Sequence, residues 1–246
     1  MKSLNNSQKQ NESYIYAYGI VAKQHTPAIE GIAQQVVHYL PFHNAFSLAY
    51  SSISTLGYQS LFNLSTIDST QQTSDTKQLA NYLKEHQSTQ QQLLNEHCFL
   101  PFRYAMVFST KTAALNFLAE YDHKLQLACT QLAGLCEFQI QLAKAQTVPQ
   151  EASSSGTVFF KKRYQRYQLR QQQLTQFHQL QEQLQAWSIT SVTKLDESGK
   201  TIIALPLCEV ASFKTQLSQL LASQFPQLSL TISGPWSPHY LTANYI

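Results

Sequence analysis

Five positively charged side chains fall within ten residues, at Lys161, Lys162, Arg163, Arg166 and Arg170. Lysine and arginine bind carboxylates and phosphates, so the chemistry that this cluster offers is the binding of an anion or of an acidic partner. The cluster lies in a long helical pattern, and charged residues also line the solvated face of ordinary helices. The sequence therefore leaves two interpretations open, a partner-binding surface and a solvated helix face.

Histidines and cysteines are present, but their spacing is not that of a metal site or a catalytic pair. His38 and His43 flank a turn that contains a proline, with His25 upstream, whereas a metal site needs three or four converging ligands. A Glu-His pair at 96–97 precedes Cys98, which lies in an apolar predicted strand where a thiol is normally inert. We expect packing or surface roles for these residues, and we predict no metal and no cofactor.

The motifs of common enzyme classes are missing from the sequence. It contains neither GxGxxG nor GxxxxGK(S/T) nor GxSxG, and it has only 7 glycines with which to build a phosphate-binding loop. Its carboxylates are sparse and scattered, so no pair can be nominated for acid–base catalysis. We therefore predict that the protein is not an enzyme.

The charge content of the 246 residues is unusually low. Lys and Arg number 17 and Asp and Glu number 14, which gives a net charge of +3 and a charged fraction of 13%. This small basic excess does not suggest a nucleic-acid-binding protein. The four cysteines form no CxxC pair, which favours a reduced, intracellular protein. Residues 1–13 lack the apolar core of a signal peptide, and no apolar run is long enough to span a bilayer.

The hydrophobic pattern predicts an α+β protein of two domains. Residues 1–13 are expected to be a disordered leader, and 14–133 an N-terminal α+β domain with trailing helices. In this first domain the pattern predicts, in order, a strand at 14–22, a helix at 28–40, a strand at 45–53, a loop at 57–76, a helix at 77–97, a strand at 98–108, a helix capped by Ser109 or Thr110, and a helix at 122–133.

Residues 134–233 have the element order βαββαβ. The predicted elements are a strand at 135–143, a loop at 146–156, a long amphipathic helix at 157–187, a hairpin of strands at 188–195 and 200–208, a helix at 209–224 and a strand at 227–233. This order predicts a ferredoxin-like antiparallel sheet. The tail 234–246 contains Trp236 and no charged side chain, so we expect it to pack at the junction of the two domains.

Four stretches, in this order, resemble segments of the GvpF/GvpL family of gas vesicle proteins. They are YIYAYGIVA at 14–22, LPFRYAMVF at 100–108, GTVFFKKRYQR at 156–166 and SGPWSPHYL at 233–241. The family motif residues that they preserve are Pro101, Arg103, Gly234, Pro235 and Trp236.

The chain also departs from the pattern of that family at several motif positions. Tyr104 and Ala105 stand where the family usually has Phe and Gly, and Ser237 and His239 replace a Pro and a Tyr. We expect these changes to alter the local geometry of the two loops.

The resemblance implies a two-domain α+β fold with a ferredoxin-like second domain. It also implies a minor structural or accessory protein of gas vesicles, which are intracellular, gas-filled organelles with a protein wall. Such a protein would be cytoplasmic and vesicle-associated and would have the hydrophobic shell protein GvpA and other gas vesicle proteins as partners, with no nucleic acid and no membrane. It would bind GvpA and limit its aggregation during vesicle nucleation and assembly. Our candidate contact residues are Lys161, Lys162, Arg163, Arg166 and Trp236.

Two other functions remain open at this stage. A ferredoxin-like domain also suits a small-molecule-binding or regulatory module, and the basic helix suits an RNA-binding protein. The RNA-binding alternative is weakened because TIIALPLC, at 201–208, lacks the basic-Gly-aromatic core of an RNP motif.

Overall fold

The computed structural model describes residues 13–22, 28–42, 45–62, 72–95, 99–143, 156–187, 191–192, 199–243 and 245. The fold is mixed α and β, with antiparallel strand pairing, and contacts divide the chain into two compact units. One unit comprises Met1–Leu135 and Ser237–Ile246, and the other comprises Cys136–Trp236.

The described elements follow one another in this order. They are β1 (Ser13–Ala22), β2 (His38–Pro41), β3 (Phe46–Ser54), α1 (Thr55–Phe62), α2 (Gln72–Asn95), β4 (Phe99–Pro101), β5 (Val107–Phe108), α3 (Lys111–Glu120), α4 (Asp122–Leu132), β6 (Leu135–Leu142), α5 (Gly156–Gln185), β7 (Ser191–Val192), β8 (Lys200–Pro206), α6 (Val210–Gln224), β9 (Leu230–Trp236) and α7 (His239–Thr242).

In the first unit, β1 is the central strand of a sheet with the order β2-β3-β1-β4, and β5 also pairs with β1. Seven of its ten residues are buried, because both faces of the strand are covered. A register shift between Ala17 and Gly19 interrupts its pairing with β3. A Cβ at Gly19 would lie 2.2 Å from the Leu100 carbonyl oxygen, so this position of β1 accepts only glycine.

The prediction of a helix at 28–40 is wrong. Ile29, Ile32 and Val37 are buried, whereas Val36 is exposed, and the chain forms a short 3-10 turn at Ile32–Gln34 and then enters β2. Ala33 and Gln34 have φ values of 53° and 57°, which an α-helix does not allow. The amides of this turn find partners outside it, because the Tyr18 hydroxyl accepts from the Ile32 N–H at 2.6 Å and the Glu85 carboxylate accepts from the Ala33 N–H at 2.8 Å.

Two other predictions for the first unit need correction. The single strand predicted at 98–108 is two short strands, β4 and β5, because Ala105 at φ 64° turns the chain between them. The loop predicted at 57–76 contains most of α1 and the start of α2. The predicted strands at 14–22 and 45–53 and the helix at 122–133 are confirmed within one residue. Thr110 is the N-cap of α3, since its hydroxyl accepts from the Ala113 N–H at 3.0 Å.

The second unit contains a four-stranded sheet with the order β7-β8-β6-β9. Pairing is antiparallel between β6 and β9 and between β7 and β8. The predicted strands at 135–143 and 200–208 and the helices at 157–187 and 209–224 are confirmed, with ends that differ by one or two residues. The predicted loop at 146–156 lies outside the described residues except for Gly156, which begins α5.

The last strand, β9, spans 230–236 rather than the predicted 227–233. Phe225 ends α6, and the following residues form a turn in which the Leu228 N–H donates to the Phe225 carbonyl, so the strand begins later. Gly234, Pro235 and Trp236 consequently belong to β9, whereas the residues from Ser237 onward belong to the first unit.

Candidate partner-binding site

The long helix α5 changes its surroundings halfway along its length. In its second half the side chains of Phe177, Leu180 and Leu184 are fully buried, and the amide of buried Gln181 donates to the Thr201 hydroxyl at 3.3 Å. In its first half every residue from 159 to 169 is exposed. We call this exposed segment, residues 159–169, the arm. The packing of the second half therefore holds the arm in position.

Large apolar side chains occupy much of the arm. Phe160, Tyr164 and Tyr167 are 67%, 62% and 61% exposed, and their spacing of four and three residues aligns them along one side of the helix. Phe159 packs edge-on against Phe160 with ring centroids 5.8 Å apart. We call Phe160, Tyr164 and Tyr167 the aromatic row. Exposed aromatic side chains in a row of this kind are typical of an interaction surface.

An arginine row lies beside the aromatic row. Arg163 and Arg170 precede the buried Phe177 by fourteen and seven residues, so they lie on the helix face that continues into the core of the second unit. Arg166 lies between them on the same face, and Arg170, which is half-buried, follows the last residue of the arm. From Gly156 to Gln181 the helix contains no Asp or Glu. The arm is therefore a uniformly basic surface with an aromatic stripe.

The structure brings four of the five candidate contact residues together. Lys161, Lys162, Arg163 and Arg166 all lie on the arm and are exposed. Trp236 lies on another element, at the end of β9, where it is partly buried and is paired with Glu137 of β6. A Cβ at the nearby Gly234, at φ 130°, would lie 2.7 Å from the Glu137 carbonyl oxygen. This glycine lets β9 approach β6 closely.

The other motif residues lie in the first unit. Pro101 is buried at the end of β4 and is the register partner of Gly19. Arg103 is exposed and, with Tyr104 and Met106, lines a depression of about 310 Å³ next to α7. If Arg103 pointed inward, its guanidinium would need a buried partner. Its exposure removes that requirement.

A buried glutamine connects the Pro101 motif to α7. The Gln90 side chain of α2 donates to the Tyr18 carbonyl at 2.9 Å and to the Phe102 carbonyl at 2.8 Å. Its amide oxygen lies 2.8 Å from Nε2 of His239. Gln90 thus joins β1, the turn after β4 and α7 by three hydrogen bonds.

A cluster of aromatic rings lies next to Gln90. The Tyr16 hydroxyl is 2.9 Å from Nδ1 of His86, and the His86 ring stacks on Tyr18 and meets Tyr104 edge-on. Burial, aided by the nearby His239, lowers the pKa of His86 to about 4. Burial raises the pKa of Tyr104 to about 12. These side chains are neutral at pH 7, which suits structural groups in a core.

No reactive centre appears in the part of the chain that the structure describes. There, no group of three or more His, Cys, Asp and Glu side chains could hold a metal ion. Cys129 and Cys136 are buried and Cys208 is exposed. Burial raises the pKa of the Cys136 thiol to about 12, so this thiol is a poor nucleophile. The Glu-His-Cys stretch at 96–98, His25 and His43 lie outside the described residues.

No helix among the described residues is both long enough and apolar enough to cross a membrane. The arm also fails this condition, because charged residues interrupt its apolar ones.

Sequence reasoning identified the basic cluster but missed the exposure of the aromatic row. Phe160, Tyr164 and Tyr167 continue the apolar spacing of Leu174, Phe177 and Leu180, so the pattern predicted one amphipathic stripe. The available signal was the absence of Asp and Glu from 156 to 181, because a buried face rarely borders so many cations without carboxylate partners. Sequence reasoning also missed Gln90, which has no local signature in a glutamine-rich helix.

Comparison with known proteins agrees with the motifs. The profile of the family described as gas vesicle synthesis protein GvpL/GvpF matches residues 14–240. The structure is similar to that of the gas vesicle protein GvpF from Anabaena sp. PCC7120, with a TM-score of 0.63 and 16% identity over 94% of this chain and 96% of that one. It is also similar to GvpF from Microcystis aeruginosa, with a TM-score of 0.62 and 15% identity over 93% and 98% of the two chains. These likenesses show a shared fold. No curated protein sequence matches the chain significantly.

Proposed function

Because this chain belongs to the GvpL/GvpF family of gas vesicle synthesis proteins, we propose that it is a minor structural or accessory protein of gas vesicles. In this proposal it binds the hydrophobic shell protein GvpA and limits the aggregation of GvpA while the vesicle is nucleated and built. The protein is not an enzyme, and it acts in the cytoplasm and on the vesicle. Its partners are GvpA and other gas vesicle proteins, and it binds neither nucleic acid nor a membrane.

The observation that carries the proposal is the exposed arm of α5. A protein that keeps a hydrophobic partner soluble must offer that partner an apolar surface while remaining soluble itself. The arm meets both requirements, because its aromatic row is flanked by cations that keep the segment hydrated. In this proposal Lys161, Lys162, Arg163 and Arg166 contact the partner directly, and Trp236 forms a further contact.

We also propose that the second unit is a ferredoxin-like domain. Its element order is β6-α5-β7-β8-α6-β9, and its strand order is β7-β8-β6-β9. These two orders support a split βαβ arrangement, in which each crossover helix skips one strand of the sheet. The boundaries of the compact units along the chain, at 135/136 and 236/237, support a two-domain division close to the predicted boundaries at 133/134 and 233/234.

Co-expression with GvpA tests the proposed function. GvpA is expressed with and without this chain, and soluble GvpA and its co-purification on the tagged chain are measured. We expect more soluble GvpA, and a stable complex, only when the chain is present. Equal precipitation of GvpA in both cases would contradict direct binding to the shell protein.

Charge reversal on the arm tests where GvpA binds. We expect the triple variant Lys161→Glu/Lys162→Glu/Arg163→Glu to reduce co-purification of GvpA at least about tenfold, a loss of about 1.4 kcal/mol. Since all three side chains are exposed, the thermal midpoint should stay within about 2 °C of the wild-type value. The matched control, Lys77→Glu/Lys84→Glu/Lys124→Glu, reverses three exposed lysines on α2 and α4 and should co-purify normally. If the arm variant binds GvpA as well as the wild type does, these cations belong to a solvated helix face and do not contact GvpA.

A further inference from the structure

The aromatic row and the arginine row of the arm form one continuous surface. Residues 160 to 167 span about 10 Å of helix, and the two rows run side by side along the helix axis. Both rows are narrow and straight, and the aromatic row has the four- and three-residue spacing found where one helix packs lengthwise on another. The shape of the surface therefore favours a helical partner that lies along it.

The type of cation on this surface is informative. The chain contains four arginines, and three of them, Arg163, Arg166 and Arg170, form the arginine row. The other basic residues of the chain are lysines. Arginine binds carboxylates through two parallel hydrogen bonds and stacks on aromatic rings, whereas lysine is the more strongly hydrated cation. Arginine, tyrosine and phenylalanine are also enriched where proteins bind each other. The composition of the surface is that of a binding site for carboxylates.

A second copy of the chain does not suit the arm. Pairing two arms would place arginine rows and lysines of like charge against each other, and between Gly156 and Gln181 neither copy has an Asp or Glu to compensate. Like charges in contact cost several kcal/mol at an interface. The missing negative charge must come from a surface that carries carboxylates, which a second arm does not.

A bilayer surface suits the arm less well than a helix does. Helices that lie in a membrane interface carry one wide apolar face. On the arm, Leu169 lies about 200° around the helix from Tyr167, so the apolar side chains occupy two sides. A narrow aromatic row beside a row of arginines fits another helix better.

We propose that the arm binds an acidic amphipathic helix of another gas vesicle protein. The apolar stripe of that helix packs on Phe160, Tyr164 and Tyr167, and its Asp or Glu side chains pair with Arg163 and Arg166. This inference rests on the proposed function for the identity of the partner as a gas vesicle protein, and it deepens that function by naming the chemistry that the partner must present.

A pair of synthetic peptides tests the inference on the full chain. Each peptide is an amphipathic helix of about 21 residues, roughly 30 Å long, with the same leucine stripe. One carries glutamate beside the stripe, and the other carries lysine at the same positions. Binding is measured by fluorescence anisotropy. We expect the glutamate peptide to bind at least about tenfold more tightly than the lysine peptide, and we expect its binding to weaken between about 0.05 M and about 0.5 M salt.

Variants of the two rows locate the binding surface. The variant Arg163→Glu/Arg166→Glu should no longer bind the glutamate peptide and should bind the lysine peptide instead. A merely structural role for the arginines would not produce this reversal. Tyr164→Ala/Tyr167→Ala should weaken the glutamate peptide at least about tenfold. The control Lys77→Glu/Lys84→Glu changes the net charge as much as the arginine variant does, on exposed residues of α2, and should bind like the wild type. Equal binding of both peptides, or no effect of the arm variants, would overturn the inference.

Two further measurements distinguish the other occupants. The first is binding to vesicles of anionic phospholipid. If the vesicles bind the wild type but not the arginine variant, and the glutamate peptide does not bind, the occupant of the arm is a membrane surface and not a helix. Arm-dependent dimerisation in sedimentation velocity would replace the helix with a second copy. The GvpA experiment remains separate, because GvpA that co-purifies while the glutamate peptide fails would preserve the proposed function and reject this inference.

Discussion

Ala105 occupies a backbone conformation that favours glycine. Its φ of 64° turns the chain between β4 and β5, at the position where the GvpF/GvpL pattern usually has Gly. An L-residue in the left-handed region is strained by roughly 1–2 kcal/mol, because its Cβ crowds the carbonyl oxygen that follows. Alanine at this position therefore lowers the stability of the folded chain relative to glycine.

The variant Ala105→Gly should stabilise the protein. The relief of strain exceeds the extra freedom that glycine gains in the unfolded chain, so we expect a gain of roughly 0.5–1 kcal/mol and a rise of about 1–4 °C in the thermal midpoint. Differential scanning calorimetry measures both. Ala222→Gly, at an exposed position of α6, is the control and should lower stability by roughly 0.5–1 kcal/mol. A lower midpoint for Ala105→Gly would show that its Cβ contacts outweigh the strain.

His86 should make the first unit sensitive to acid. Its pKa is lowered to about 4 by burial and by the nearby His239, whereas in the unfolded chain it has its ordinary value of 6.5. The aromatic groups around its ring, Tyr16, Tyr18 and Tyr104, are uncharged between pH 4 and 7, and a positive charge on the nearby His239 opposes the protonation of His86. Because the unfolded chain then binds the proton more tightly, the stabilisation is complete above pH 6.5 and is lost as the pH falls towards 4.

Urea unfolding at several pH values checks this expectation. The free energy of unfolding should fall by about 1.4 kcal/mol per pH unit between pH 6.5 and 4 because of this histidine alone. His86→Gln removes the titrating group, so its baseline stability will differ, but its slope over the same window should be shallower. An unchanged slope in this variant would assign the acid sensitivity to other groups.

At the scale of elements, α7 fastens the end of the described chain to the first unit. The His239 ring lies 2.8 Å from the Gln90 amide oxygen, and Leu241 and Tyr245 pack against the hydrophobic core built on β1, β3, α3 and α4. The Tyr245 hydroxyl also donates a hydrogen bond to the Gln131 side chain. These contacts make the short helix part of the core of that unit.

A chain that ends at Trp236 should therefore be less stable. The truncation keeps β9 complete but exposes the core beneath Leu241 and Tyr245 and removes the His239 partner of Gln90. Loss of these contacts should cost about 2–4 kcal/mol and lower the thermal midpoint of the first unit. Thermal unfolding followed by near-ultraviolet circular dichroism measures the change. An unchanged midpoint would mean that α7 adds nothing to the core.

Sequence reasoning predicted well those elements in which the buried residues recur with the period of the strand or helix itself. Helix α6 buries one regular face, and the second half of β6 alternates between buried and half-buried residues, so a 3.6-residue repeat and an alternation identified them. The segment at 28–40 also has a helical repeat, but Tyr18 and Glu85 bind its amides from β1 and α2. Such long-range hydrogen bonds leave no local signal.

The same distinction applies to the candidate site. The basic cluster at 161–170 could be read directly from residue types. Whether Phe160, Tyr164 and Tyr167 are covered depends on where the sheet of the second unit ends beneath α5, and the sequence of the helix does not encode that limit. The prediction therefore placed the basic cluster on one long helix, as the structure does, but treated the two halves of that helix as one face.

At the scale of the whole molecule, the second unit interrupts the first. Residues 136–236 form one compact unit, and the chain then returns to the other for its last described helix. Gln90 and α7, which are far apart in sequence, meet in the first unit for this reason. A low charged fraction of 13% accompanies this architecture, so little charge repulsion opposes association with partner proteins.

This chain path also sets an order of events during synthesis on the ribosome. The second unit is a continuous segment, so all of it is translated before α7, which belongs to the first unit. The first unit therefore gains its last contacts, those of His239, Leu241 and Tyr245, only after every residue of the second unit has been made.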